Sequence, residues 1–176
     1  MPADFHPRDY GPSLTPLVDV DRCRVLVPDR PDESMREALE QLRGEEVAGD
    51  RPLADATMAE AVVAGVWLLH DFLDESHQVS QGIETPTGSY WHGVMHRREG
   101  DYSNAKYWFR RTGDHPVVAE VAAAAAELGF ADWDPYRFVD ACQQTSTAEE
   151  QTLCRRVQQV EWERLFDYSY RQAIAR

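Results

Sequence analysis

The residues best suited to chemistry lie between positions 70 and 111, and the first group of them has a helical spacing. His70, Asp74 and His77, followed by Gln81, are separated by four, three and four positions. This spacing places all of them on one stripe of a continuous helix. Imidazole and carboxylate groups can transfer protons near neutral pH or bind a metal ion. The alternative is that the helix emerges into solvent here, since a buried charge without a partner is costly.

A second group has the spacing of a metal-binding helix. His92, His96 and Glu99 are separated by four and three positions, so they share one face. Two histidines one turn apart can bind a single divalent ion, and Glu99 can supply a third ligand or act as an acid or base. The glutamate that directly follows the first histidine of a zinc-protease helix is missing. The alternative is a pair of buried histidines that hydrogen-bond to the backbone or to carboxylates.

A basic cluster follows the second group. Residues 89–111 contain five basic and two acidic side chains, whereas the whole chain has a formal net charge of −13. Arginine matches the geometry of carboxylate and phosphate groups, so these residues could orient a small anionic ligand. The alternative is internal salt bridging to the acidic remainder of the chain. The candidate anion-binding residues are Arg97, Arg98, Lys106 and Arg110.

Two resemblances fall on this same stretch. Gly93, Gly100, Asp101, Tyr102, Ala105 and Phe109 have the spacing G-x6-G-D-Y-x2-A-x3-F, which resembles one unit of the tetratricopeptide repeat. That resemblance implies a hairpin of two packed helices, although such units normally occur in arrays. The segment WHGVMHRREGDYSNAKYW is similar to a stretch of an uncharacterised bacterial and fungal family, and this similarity implies no activity.

The pattern of the whole chain predicts an all-α fold that positions these groups. We expect a bundle of six or seven helices, including a long central helix over 54–78 and the repeat-like hairpin over 89–112. Residues 1–32 contain six prolines, which predict an extended arm with one short strand near 23–27. The predicted helical domain occupies residues 33–176.

Composition excludes several classes of function. The net charge of −13 argues against nucleic-acid binding and against binding to an anionic membrane. No apolar run is long enough to span a bilayer, and the first residues have no signal-peptide core. Three cysteines without a CxxC pair fit a reduced, cytoplasmic protein.

The sequence leaves two functional hypotheses open. In the first, a polar pocket between the central helix and the His92 helix binds a small molecule, an anionic ligand or a divalent metal ion, with or without catalysis. In the second, the helical hairpin and the acidic surface bind another protein without catalysis. A metal ion bound to the purified protein would favour the first hypothesis.

Overall fold

The chain is mostly helical in the part that its computed structural model describes, residues 5–27 and 30–175. Within these residues there are ten α-helices, two 3₁₀ turns and no strand, which confirms the all-α prediction. The helices are α1 (Gly11–Val18), α2 (Arg36–Gln41), α3 (Gly44–Ala48), α4 (Ala56–Leu69), α5 (Leu73–Gln81), α6 (Pro86–Glu99), α7 (Tyr102–Thr112), α8 (Pro116–Glu127), α9 (Pro135–Gln144) and α10 (Ala148–Ala173).

The number of helices exceeds the six or seven predicted because α1 and α3 were not recognised in the sequence and the predicted central helix is divided into α4 and α5. Helix α1 lies within the predicted extended arm. Pro12 occupies the first turn of α1, where a missing amide hydrogen costs nothing, and Leu14 and Leu17 are buried in the core. The predicted strand near 23–27 is also absent, and these residues are irregular. Residues 1–4, 28 and 29 of the arm, and residue 176, lie outside the described part of the chain.

The predicted central helix is broken after Leu69, and this break turns the chain toward the site. Asp71 has a left-handed backbone (φ 64°), which a continuous helix cannot contain. Its buried carboxylate accepts hydrogen bonds from Arg24 and Arg98, which hold the bend in place. Helices α4 and α5 are therefore separate elements, and the predicted stripe from His70 to Gln81 does not form.

The core lies around α4, which packs against α6 and α10. The close contact of these helices depends on Gly65, because a Cβ atom there would come within 2.6 Å of the Trp91 ring on α6. The carbonyl oxygen of Gly65 accepts a hydrogen bond from the indole of Trp162 on α10 at 2.9 Å. This packing fixes α6, the helix with the most candidate residues, at the centre of the molecule.

Helices α6 and α7 are neighbours in antiparallel order. Gly93 faces the Phe109 ring, since a Cβ atom at Gly93 would lie 3.0 Å from it, and His96 faces Asn104 nearer the connection. Gly100 turns the chain between the helices with a left-handed backbone. The arrangement agrees with a helical hairpin, while the resemblance to a tetratricopeptide unit stays a prediction.

Among the residues that the structure describes, no helix combines the length and the apolar character needed to cross a bilayer.

Candidate metal centre

Three histidines from two helices meet on one side of the α5–α6 pair. One potential ligand nitrogen from each of His77, His92 and His96 lies within 4.8 Å of the other two. The ring centroid of His77 is 4.7 Å from that of His92 and 5.3 Å from that of His96. His92 and His96 are 2% and 5% exposed, and His77 is half-buried. The cluster therefore lies at the edge of the core, with one side reaching solvent.

Glu99 orients the imidazole of His96. Its carboxylate oxygen lies 3.0 Å from Nδ1 of His96, so Nδ1 carries the proton and donates a hydrogen bond to Glu99. The other nitrogen, Nε2, then has a free lone pair. A carboxylate that binds one nitrogen of an imidazole while a metal binds the other is common in metal sites.

Asn104 lies beside the same ring without occupying that lone pair. Its amide nitrogen is 3.1 Å from Nε2 and 3.5 Å from Nδ1 of His96. A donor in line with the Nε2 lone pair would be much farther from Nδ1, on the opposite side of the ring. The Asn104 amide therefore lies against the ring and leaves the lone-pair direction open.

His92 is buried, and one of its ring nitrogens is unpaired among the residues that the structure describes. Its ring stacks on Trp108 at a centroid distance of 3.9 Å and an interplanar angle of 14°. Nδ1 is buried and has no hydrogen-bond partner among the described residues. Buried polar atoms in native proteins are nearly always paired, so an unpaired one points to a partner such as water or an ion.

The imidazoles of the two α6 histidines are neutral at physiological pH. Burial, together with the nearby His96 and His77, lowers the pKa of His92 to about 3. Burial also lowers the pKa of His96, although Glu99 opposes this shift. Metal ions bind the neutral imidazole, so both residues are in the protonation state that a ligand needs.

The structure places His70 and Asp74, two of the predicted site residues, outside this cluster. His70 lies at the end of α4, where Nε2 donates a hydrogen bond to the carbonyl oxygen of Leu17 at 2.8 Å, and burial lowers its pKa. Asp74 is exposed in the first turn of α5. The stripe hypothesis was wrong for His70, because the bend at Asp71 changes the direction of the chain after it. Asp74 shares α5 with His77, but its exposed carboxylate is not among the clustered ligand atoms.

Three residues of the basic cluster form internal ion pairs, which is the predicted alternative to binding an anion. The buried Arg97 pairs with Glu161 on α10, and the buried Arg98 pairs with Asp71. Lys106 pairs with Asp140 on α9. The fourth candidate, Arg110, is exposed and lies over the Tyr107 ring at 6.0 Å.

Sequence reasoning did not identify Asn104 and Trp108 as site residues. They are one helical turn apart on α7 and therefore share a face. The antiparallel pairing of α6 and α7 sets Asn104 beside His96 and Trp108 beside His92. Asn104 and Trp108 are four positions apart, as are His92 and His96. This equal spacing is the signal in the sequence that could have identified the two α7 residues.

The three histidines can supply three neutral nitrogen ligands to one ion, while the Glu99 carboxylate accepts a hydrogen bond from the far nitrogen of His96. Among the described residues, the group of clustered ligands contains no cysteine and no carboxylate. Known protein families, curated proteins and solved structures provide no match to this chain.

Proposed function

We propose that this protein binds one divalent transition-metal ion through His77, His92 and His96. The observation that carries the proposal is the convergence of three ligand nitrogens within 4.8 Å. Zinc is the first ion to test, because three nitrogen ligands are typical of zinc sites with an open position. Imidazole ligands favour ions such as zinc, copper, iron and nickel over magnesium and calcium, which prefer oxygen ligands.

The geometry needs only a small closure to hold such an ion. Zinc–nitrogen bonds of about 2.05 Å in a tetrahedron place the ligand nitrogens about 3.4 Å apart. His77 is half-buried on the short helix α5, so its side chain can rotate toward the two α6 histidines. The buried pair is held in place by Trp108 behind His92 and by Glu99 behind His96.

Metal analysis of the purified full chain tests the proposal. After treatment with a chelator, titration with Zn²⁺ is expected to reach one ion per chain and to raise the melting temperature, since an ion that binds the native state stabilises it. His77→Ala is expected to weaken zinc binding at least about 100-fold, since one of three ligands is lost. The half-buried position of His77 lets this variant fold, which circular dichroism checks.

His6→Ala is the matched control, because His6 is exposed and lies outside the cluster. Its zinc affinity should equal that of the unmodified chain. Equal zinc affinity in His77→Ala, or no stoichiometric ion in the unmodified chain, would contradict the proposal. The second result would leave a protein-binding helical module as the stronger hypothesis.

A further inference from the structure

The His77, His92 and His96 cluster supplies three ligands, and the described part of the chain brings no fourth one to it. The nearest carboxylate, that of Glu99, is bound to Nδ1 of His96 and lies outside the group of converging ligand atoms. Structural zinc sites have four protein ligands, whereas sites with three keep a position for an exogenous ligand. The inference below rests on the proposed metal binding and concerns this remaining position.

The remaining position has access to solvent. His77, Asn104 and Trp108 are each half-buried, and they surround the two buried histidines on the α5 and α7 sides. A ligand of a few atoms can therefore reach an ion at the cluster from between α5 and α7.

The charge around the ion favours an anion at that position. Histidine ligands are neutral, so a divalent ion keeps its two positive charges in this ligand set. The carboxylates of Glu99 and Asp101 act on His96 from outside the group of converging ligand atoms. An anion in the remaining position would reduce the charge of the ion directly.

Two groups on α7 are suited to hold such an anion. The Asn104 amide lies against the His96 ring at 3.1 Å, where it can donate a hydrogen bond to an oxygen on the ion. The Arg111 guanidinium lies 5.3 Å from the Trp108 ring centre and has no acidic partner among the described residues. Arg111 is exposed beside Trp108, so it contributes positive potential near the cluster rather than a direct ligand.

We propose that the metal ion at His77, His92 and His96 binds a small carboxylate in its remaining coordination position. Asn104 donates a hydrogen bond to the bound carboxylate, and Arg111 attracts it. In the absence of the carboxylate, a water molecule completes the coordination of the ion. The basic cluster suggested that this region binds an anion. Asn104, Arg111 and the ion now have that role, in place of Arg97 and Arg98.

Visible absorption of the Co²⁺-loaded full chain tests this proposal, because the spectrum of Co²⁺ changes when its coordination changes. Titration with acetate, and separately with azide as a second probe, is expected to give a saturable change with one anion per Co²⁺. Perchlorate at the same ionic strength should leave the spectrum unchanged. Equilibrium dialysis establishes beforehand that one Co²⁺ is bound per chain.

Variants on α7 separate the two assigned roles. Asn104→Ala is expected to weaken acetate binding about 10-fold, the effect of losing about 1.5 kcal/mol from a hydrogen bond to a charged group. Arg111→Gln is expected to weaken it about 2-fold, and this effect should disappear at high salt. Arg137→Gln is the control, since Arg137 is an exposed arginine on α9, a helix that supplies no member of the cluster.

The outcomes distinguish this inference from the proposed function. A chain that binds Co²⁺ stoichiometrically but shows no response to acetate or azide overturns the inference and leaves metal binding intact. A chain that binds no Co²⁺ overturns both. Equal acetate affinity in Asn104→Ala and the unmodified chain, with circular dichroism unchanged, overturns the role assigned to Asn104.

Discussion

Glu99 controls the tautomer and the orientation of the His96 imidazole. The carboxylate of Glu99 fixes the proton of His96 on Nδ1 and directs Nε2 away from it. Without this acceptor, the imidazole can exchange its tautomer and its orientation, and the lone pair is no longer fixed for an ion.

We expect Glu99→Gln to lower zinc affinity by about 10-fold, the lower end of the range for partners of metal ligands. Competition with a chromophoric chelator measures the change. Glu84→Gln, an exposed glutamate on the loop before α6, is the control and should have no effect. An unchanged affinity in Glu99→Gln would show that Glu99 does not orient His96 in the bound state.

His115 is a second buried histidine with a defined protonation state. It begins α8, where Nδ1 accepts the Val117 N–H at 3.3 Å and Nε2 donates to the Thr87 hydroxyl at 3.0 Å. Burial lowers its pKa from 6.5 to about 4. The hydrogen bond from Val117 requires the neutral ring, since a proton on Nδ1 would remove its acceptor.

This pKa predicts a loss of stability in acid. Above pH 6.5 the ring is neutral in both the folded and the unfolded chain, so its full contribution is present. Between pH 6.5 and about 4 only the unfolded chain binds the proton, so stability falls by up to about 1.4 kcal/mol per pH unit. His115→Asn keeps a capping side chain but cannot titrate. Urea unfolding at pH 7 and pH 5 should therefore show a smaller loss in the variant, and an equal loss would contradict the prediction.

At the scale of elements, the bend between α4 and α5 decides which histidines meet. Asp71 combines an unusual backbone with a buried carboxylate bound to Arg24 and Arg98. Helix α4 ends just before His70, and α5 runs in a different direction after the bend. This change of direction brings His77 close to α6. A helix continuing through position 71 would keep His70 and His77 on one stripe, as the sequence pattern predicted.

Substitutions at Asp71 separate its charge from its backbone. Asp71→Asn keeps a residue that tolerates a left-handed backbone but leaves two arginines without a counter-charge, so we expect a loss of about 3 kcal/mol in the free energy of unfolding. Asp71→Ala should cost about 1 kcal/mol more, because alanine disfavours this backbone.

Asp132 has the same type of backbone (φ 50°) in an exposed turn. Asp132→Asn should be neutral and Asp132→Ala should cost only the backbone difference, as urea unfolding can measure. Equal losses at the two positions would contradict the role of the buried charge.

The sequence predicted the helix ends best where local side chains define them. Thr147 begins α10 with its hydroxyl accepting the Glu150 N–H, while the Glu150 carboxylate binds the Thr147 N–H in return. Pro116 and Pro135 mark the first turns of α8 and α9. These signals lie within a few residues of the ends that they define, so a local pattern contains them.

The bend and the partners of the basic cluster could not be predicted in the same way. In the sequence, nothing local distinguishes Asp71 from an aspartate within a helix, because the bend there is held by Arg98 and by the distant Arg24. Arg97 likewise pairs with Glu161, which lies on a helix that the local pattern does not connect with α6. For the candidate site, the spacing of His92 and His96 predicted that the two rings share one face of α6, as they do, but the position of the third histidine depended on the bend.

At the scale of the whole molecule, α6 connects the site with the core. One face of α6 carries His92 and His96 toward α5 and α7, while the buried Arg97 pairs with Glu161 on α10. Trp91 lies against α4 at Gly65, and its indole donates a hydrogen bond to Ser169 on α10. A shift of α6 that altered the histidine cluster would therefore disturb contacts with both central helices.

The three histidines also lie close together along the chain, within residues 77–96. Bringing them together closes only a short loop, which costs little conformational entropy and takes place quickly. An ion can thus join α5 to α6 before α10, which follows much later in the chain, has docked. We expect Zn²⁺ to increase the refolding rate measured by stopped-flow tryptophan fluorescence, since contacts formed before the rate-limiting step act on folding rather than unfolding. If zinc only slowed unfolding, the histidines would come together after the rate-limiting step. The ion would then stabilise a fold that the apolar core had already formed.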